Sequence, residues 1–176
     1  MLTVILETYL PKEAILKGEL NYLVDECGDE TVSEVIASNL VQLLKNSAFG
    51  SGGACNSQCT IGNVEVVCGE TGTRRRRETP NVPLTVRFAL KVPLPANTSL
   101  VDLNVTTEQL SNTLLSTLQK TDLNLNIDGI VIEYDTSRAP QLRLVSFVCN
   151  KGQVQRGTYC GEKLVANANT SLYEEL

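Results

Sequence analysis

"LTVRFALKVPLP", residues 84–95, is the stretch on which the fold turns. Leu84, Val86, Phe88, Leu90 and Val92 fall on one parity and Thr85, Arg87, Ala89 and Lys91 on the other. That period-two pattern predicts a strand with one buried and one wet face. A similar opening, "LTVILETYLP", occupies residues 2–11 and also ends in Leu-Pro. Each is followed by helical sequence and then by a short β-like run, "IGNVEVVC" at 61–68 and "IDGIVIEYD" at 127–135. "QLRLVSFVC", 141–149, adds a further strand.

Helical spacing is clearest in "VTTEQLSNTLLSTLQK", residues 105–120, where Leu110, Leu114, Leu115 and Leu118 recur on one side. Thr106 and Gln109 there have the form of a capping box. The first half offers two helical pieces. One carries Ile15, Leu16, Leu20, Leu23 and Val24; the other carries Val35, Ile36, Leu40, Leu43 and Leu44 behind a Thr31/Glu34 capping pair. "CGDE", residues 27–30, breaks the two. Two such halves predict an α+β fold: one antiparallel sheet with helices on one face, the split β-α-β arrangement of ferredoxin-like and SEA-like domains. Residues 1–148 form that domain, with halves 1–70 and 82–148 joined by a basic loop at 71–81, and 149–176 form a small cysteine loop and tail.

The chain has 176 residues, 42% of them hydrophobic, enough to bury a core. No stretch reaches the roughly eighteen uncharged apolar residues of a membrane-spanning helix. The opening "MLTVILETYL" carries Glu7 and reads as a strand rather than a signal peptide. A secreted assignment therefore takes the chain as a mature fragment, with Met1 standing where a leader ended. Six cysteines, Cys27, Cys55, Cys59, Cys68, Cys149 and Cys160, favour an oxidising compartment. So do the sequons beginning at Asn97, Asn104 and Asn169, which are candidate glycosylation sites. A four-thiolate zinc site at Cys27, Cys55, Cys59 and Cys68 fits poorly, because only one pair has the usual short spacing.

Formal charge is −5, yet Arg74, Arg75, Arg76 and Arg77 are consecutive; setting them aside leaves 11 basic residues against 20 acidic, a net of −9. The basic character is local. Secretory proprotein convertases recognise such arginine runs, and a cut here falls between Arg77 and Glu78. The polar, turn-forming flanks "GETGT" and "ETPN" suit a protease-accessible segment. A solvated loop and a contact for a polyanion are the two other readings of the run. The second is opposed by the acidic remainder and by the lack of aromatic platforms beside it.

No histidine is present, which removes Ser-His, Cys-His and His-metal catalysis. "DECGDE", 25–30, lacks the ligand spacing of an EF-hand, and "GSGG", 50–53, lacks the residues that complete a phosphate loop. Gly50-Ser51 supplies the dipeptide of SEA-type self-cleavage without the apolar run that follows it there. The expectation is a protein that is not an enzyme, with no metal and no cofactor. Thr85, Arg87 and Lys91, on the wet face of the sheet, are the candidate partner-binding residues, with an ordinary solvated face as the plainer reading.

The order of Cys27, Cys55, Cys59, "CTIGNVEVVC", the basic run, "LTVRFALKVPLP", the helix and "FVCNKGQVQRGTYC" resembles the spacer segment of the secreted SCUBE and polydom glycoproteins, over roughly residues 20–160. In that family a basic stretch precedes such a segment, and ephrin-receptor-like cysteine-rich repeats follow. The tail "GEKLVANANTSLYEEL" departs from the repeat, which has another cysteine shortly after the equivalent of Cys160. The resemblance implies a secreted adhesion, matrix or signalling module. Its partners would be other extracellular proteins or neighbouring modules of the same chain, with a convertase as processing enzyme, and neither nucleic acid nor membrane insertion. It also implies a Cys149–Cys160 bridge like the first of those repeats. Four cysteines then permit three pairings; the expectation is Cys59 with Cys68, leaving Cys27 for Cys55, with the others open. The alternative function is a small secreted ligand-binding or inhibitor domain that uses the open sheet face.

Overall fold

The computed structural model describes residues 8–50, 55, 58–69, 81–95, 99, 102–157 and 159–162. In chain order its elements are β1 (Thr8–Tyr9), β2 (Glu13–Val24), α1 (Glu30–Asn46), β3 (Thr60–Cys68), β4 (Val82–Pro93), α2 (Leu103–Lys120), β5 (Leu125–Ile127), β6 (Ile130–Tyr134), β7 (Gln141–Val148), β8 (Gln153–Arg156) and β9 (Tyr159–Glu162). The class is α+β: two helices and a curled antiparallel sheet.

The alternation that predicts β4 is realised in full, with Leu84, Val86, Phe88, Leu90 and Val92 all buried. Its partner corrects the sequence reading. Residues 13–24, expected to be helical, form β2, which pairs with β4 from Glu13↔Pro93 to Val24↔Val82. The apolar residues chosen for helical spacing split between two faces: Leu16 and Leu20 are fully buried, while Leu23 lies on the other side and is itself half-buried. Backbone pairing along twelve residues outweighs a weak local helical match. Gly18 gave a contrary signal, since glycine costs about 1 kcal/mol inside a helix. In the strand its missing side chain admits the Phe88 ring, and a Cβ there would lie 2.2 Å from Cζ of that ring.

The main sheet runs β3-β4-β2, and β2 then meets two strands in succession on its other side. Its first part pairs with β7, from Glu13↔Val148 to Glu19↔Gln141, and its end pairs with β6 at Tyr22↔Tyr134 and Leu23↔Glu133. β5 and β6 form a hairpin turned by Asp128 and Gly129, both at positive φ, the two-residue geometry that Asp-Gly favours. The small three-stranded sheet draws on both ends of the chain, in the order β1-β9-β8. Of "LTVILETYLP" only Thr8–Pro11 are among the described residues, and β1 there pairs with β9 rather than with the main sheet.

A main core holds the unit together, with a smaller cluster of Ala14, Leu103 and Phe147 beside it. Leu16, Leu20, Leu84, Val86, Phe88 and Leu90 from the strands join Ile36, Leu40 and Leu44 of α1 and Leu114 and Leu118 of α2 in a single cluster. Each such leucine contributes about 1.5–3 kcal/mol by leaving water. Both helix starts differ from the capping pairs expected. α1 is capped by Asp29, whose Oδ1 accepts from Val32 N at 3.1 Å, and Thr31 lies inside the helix. An acid placed three residues before a free N–H is the better geometry for that cap. Thr106 also lies inside its helix; α2 begins after Asp102, whose N–H donates to Ser99 Oγ at 3.2 Å.

Candidate functional site

The disulfides set the frame of any site. Cys149 is joined to Cys160, Cys27 to Cys68 and Cys55 to Cys59. The last two bridges correct the expected Cys59–Cys68 and Cys27–Cys55 pairs. Cys59 immediately precedes β3 and Cys68 ends it. An extended strand at about 3.3 Å per residue holds such positions far beyond disulfide reach. Cys27, leaving β2, arrives instead at the same end of the sheet as Cys68, across the start of β4, where Gly69 N donates to Pro83 O at 3.0 Å. With all six sulfurs in disulfides, no thiolate remains for the zinc arrangement.

On the open sheet face the candidate partner-binding residues have different fates. Thr85 is half-buried and donates its hydroxyl to Asn21 Oδ1 at 3.0 Å, so its polar group is occupied within the sheet. Arg87 pairs with Glu19 at 3.3 Å and with Glu65 at 4.0 Å. Exposed pairs of this kind contribute about 0–1 kcal/mol each. Lys91 is exposed, between Ile15 of β2 and Thr60 of β3. The sequence reading did not include Lys17 and Arg143, which the β2–β7 register sets directly opposite one another. Neither has an ion pair among the described residues. Lys17, Glu19, Arg87, Glu65 and Arg143 border a groove of about 610 Å³ on this face.

A second groove, of about 600 Å³, lies on the helix side of β3, between Val64 and the α1 residues Ala37, Ser38, Val41, Gln42 and Lys45. Among the described residues β3 has a strand neighbour on one side only, β4. It is thus the edge of the main sheet, with a groove on each flank.

One aromatic pair, of a buried and a half-buried ring, was also missing from the sequence reading. Tyr22 and Tyr134 meet edge to face with ring centroids 5.8 Å apart. Tyr134 donates its hydroxyl to Arg138 O, whereas the buried Tyr22 hydroxyl has no partner among the described residues. Burial, with the neighbouring Tyr134 adding to it, pushes the Tyr22 phenol well above its ordinary value. Burial and then Asp135 raise Tyr134 as well.

Arg74, Arg75, Arg76, Arg77 and Glu78, with Asn97 and Asn169, lie outside the described residues. The run falls in the connection between β3 and β4, whose ends are paired at Cys68↔Leu84. Asn104 is exposed in the first turn of α2. Gly50 follows α1 rather than turning between central strands, so it does not occupy the position of a self-cleaving turn. No described helix is long and apolar enough to cross a membrane. Comparison with protein-family models, with curated proteins and with solved structures finds no match to this chain in any of the three.

Proposed function

We propose that this chain is a non-enzymatic extracellular structural and protein-interaction module, of the kind that the SCUBE and polydom spacer segments represent, and that a secretory convertase cuts it after Arg77. Its partners are other extracellular proteins or neighbouring modules of the same chain. The observation that carries the reading is the disulfide set: three bridges consume every cysteine, the pattern of a protein matured in an oxidising compartment. The ferredoxin-like or SEA-like assignment is supported by the strand order β3-β4-β2-β7, two β-α-β units interleaved in one sheet.

The disulfide map sharpens the processing reading. Cys27–Cys68 and Cys55–Cys59 lie before Arg77, and Cys149–Cys160 lies after it. No bridge crosses the cut. β2, from the first half, is held between β4 and β7 of the second, so a cut chain stays assembled through its core and backbone pairing alone. The test is expression in a secretory host behind a leader, with an Arg77→Ala control. Two fragments are expected to separate in denaturing electrophoresis without reductant, to co-elute under native conditions, and to vanish in the control. A single chain from the wild type refutes the cut, and free thiols in the intact mass refute the extracellular reading.

A second reading, a small secreted binder that takes a ligand on the open face, is favoured by the groove of about 610 Å³ and by Lys17 and Arg143 beside it, which have no ion pair among the described residues. Like charges set opposite on neighbouring strands are unfavourable until an anion joins them. Loss of binding to a candidate anion in Lys17→Ala with Arg143→Ala is the result that reading requires.

A further inference from the structure

We propose that the outer edge of β3 is a docking site for an extended strand of a partner protein, one that alternates apolar with basic residues. This rests on the interaction-module reading above and gives it a surface.

An edge strand exposes a row of unpaired backbone N–H and C=O groups, and native sheets usually blunt or cover such an edge. β3 carries one such device, a register shift between Gly62 and Glu65 with Asn63 at positive φ. Beyond it the strand is regular from Glu65 to Cys68. Its last residue is anchored covalently by Cys27–Cys68, its body is paired to β4, and the local Cys55–Cys59 loop lies immediately before its start. An edge held in the extended form loses little further entropy when another strand pairs with it. That is the preorganisation strand addition needs.

The two grooves define what the added strand carries. Side chains of one parity fall beside Val64, against Ala37, Ser38 and Val41 of α1, where small residues leave room for an aliphatic group. Side chains of the other parity fall beside Glu65, the single charged residue of β3. Its contact with Arg87 is long, 4.0 Å, because Arg87 leans to Glu19 at 3.3 Å. A lysine or arginine on the added strand completes the pairing of Glu65 across the new ladder. A second copy of β3, set antiparallel about Glu65, places two carboxylates side by side, which disfavours that occupant.

The test uses the full, disulfide-bonded chain and three blocked eight-residue peptides: alternating lysine and valine, alternating glutamate and valine, and the first with a central proline. Amide exchange of residues 60–68 is followed by NMR. The lysine-valine peptide is expected to slow exchange of the outward amides of β3 at least tenfold while leaving β7 unchanged, with the glutamate peptide at least fivefold weaker and the proline peptide inactive. Glu65→Lys is expected to reverse the charge preference, and Val64→Asp to abolish binding of the lysine-valine peptide. Outward β3 amides already slow in the free chain, protection at β7 instead, or no protection by any peptide overturns the proposal. Sedimentation of the free chain identifies a self-paired dimer, which overturns it as well. Intact mass of the same sample keeps the two readings apart: a fully bridged chain that takes up no peptide refutes the edge alone, whereas free thiols refute the extracellular reading beneath it.

Discussion

β2 and β4 have equal lengths of twelve residues and pair with each other from end to end, yet only β4 declares itself in the sequence. β4 separates its faces cleanly, apolar on one parity and polar or small on the other. β2 lies between β4 and β7 and carries Ile15 and Leu23 on its less buried side, where they blur the alternation. Both are central strands, and β2 also buries alternate residues, Ala14, Leu16, Gly18, Leu20 and Tyr22; what hides its period is the pair of apolar residues on the open side, not its place in the sheet. The comparison is broken most directly by substitutions that a helix and a strand answer differently.

Leu20→Ala is the largest of these. In the strand Leu20 is fully buried against the helices, so its truncation should cost about 3 kcal/mol, as for other fully buried leucines. Leu23 shares a helical face with Leu20 in the sequence reading, but in the strand it sits on the opposite side, half-buried. Leu23→Ala is therefore expected to cost under about 1 kcal/mol, on the area it covers. Urea unfolding of both variants decides it; equal losses would restore the helix.

How much was legible follows the same division. β4, α2 and the core half of α1 are each written in a local period, and the structure places them where that period puts them; the strand at 141–148 is present too, but a register shift that skips Val145 buries Leu142 and Phe147, which have opposite parity. The Cys149–Cys160 bridge, which the resemblance implied, is formed. Cys27–Cys68 was not legible because it depends on β2 and β3 flanking β4, which disappears once residues 13–24 are taken as helix. The cationic pair Lys17 and Arg143 is hidden for the same reason: it exists only in the register between two strands far apart in sequence. Arg87 and Lys91 could be read as open-face residues, but the partners that occupy Arg87, Glu19 and Glu65, come from those neighbouring strands.

Gly18→Ala sharpens the comparison at the one position where β2 and β4 touch through a missing side chain. The added Cβ meets the Phe88 ring, whose surroundings are closed: Phe88 itself is 2% exposed. Overpacking of this kind costs about 2 kcal/mol. Phe88→Leu in the same chain is expected to absorb the methyl, so that the double variant is more stable than the two single losses added together predict. Additive losses in a double-mutant cycle would mean that the two strands do not share this contact.

The smallest effect distinguishes the far end of β2, where β4 is still its partner but β6 replaces β7. There Tyr22 buries a hydroxyl that finds no partner among the described residues. Removing such a group relieves its desolvation, so Tyr22→Phe should stabilise the fold by about 1 kcal/mol near neutral pH. Alkali provides a second readout. In the unfolded chain the phenol ionises near its ordinary value of 10.0, while burial first and Tyr134 second raise it in the folded state. The folded chain then holds a proton that the unfolded chain has released, so stability is fully present below about pH 10 and falls as pH rises beyond it. Tyr22→Phe lacks this loss, and its advantage in melting temperature should widen between pH 8 and pH 11. An advantage that stays constant would place the wild-type hydroxyl in contact with water and remove the contrast between the two ends of β2.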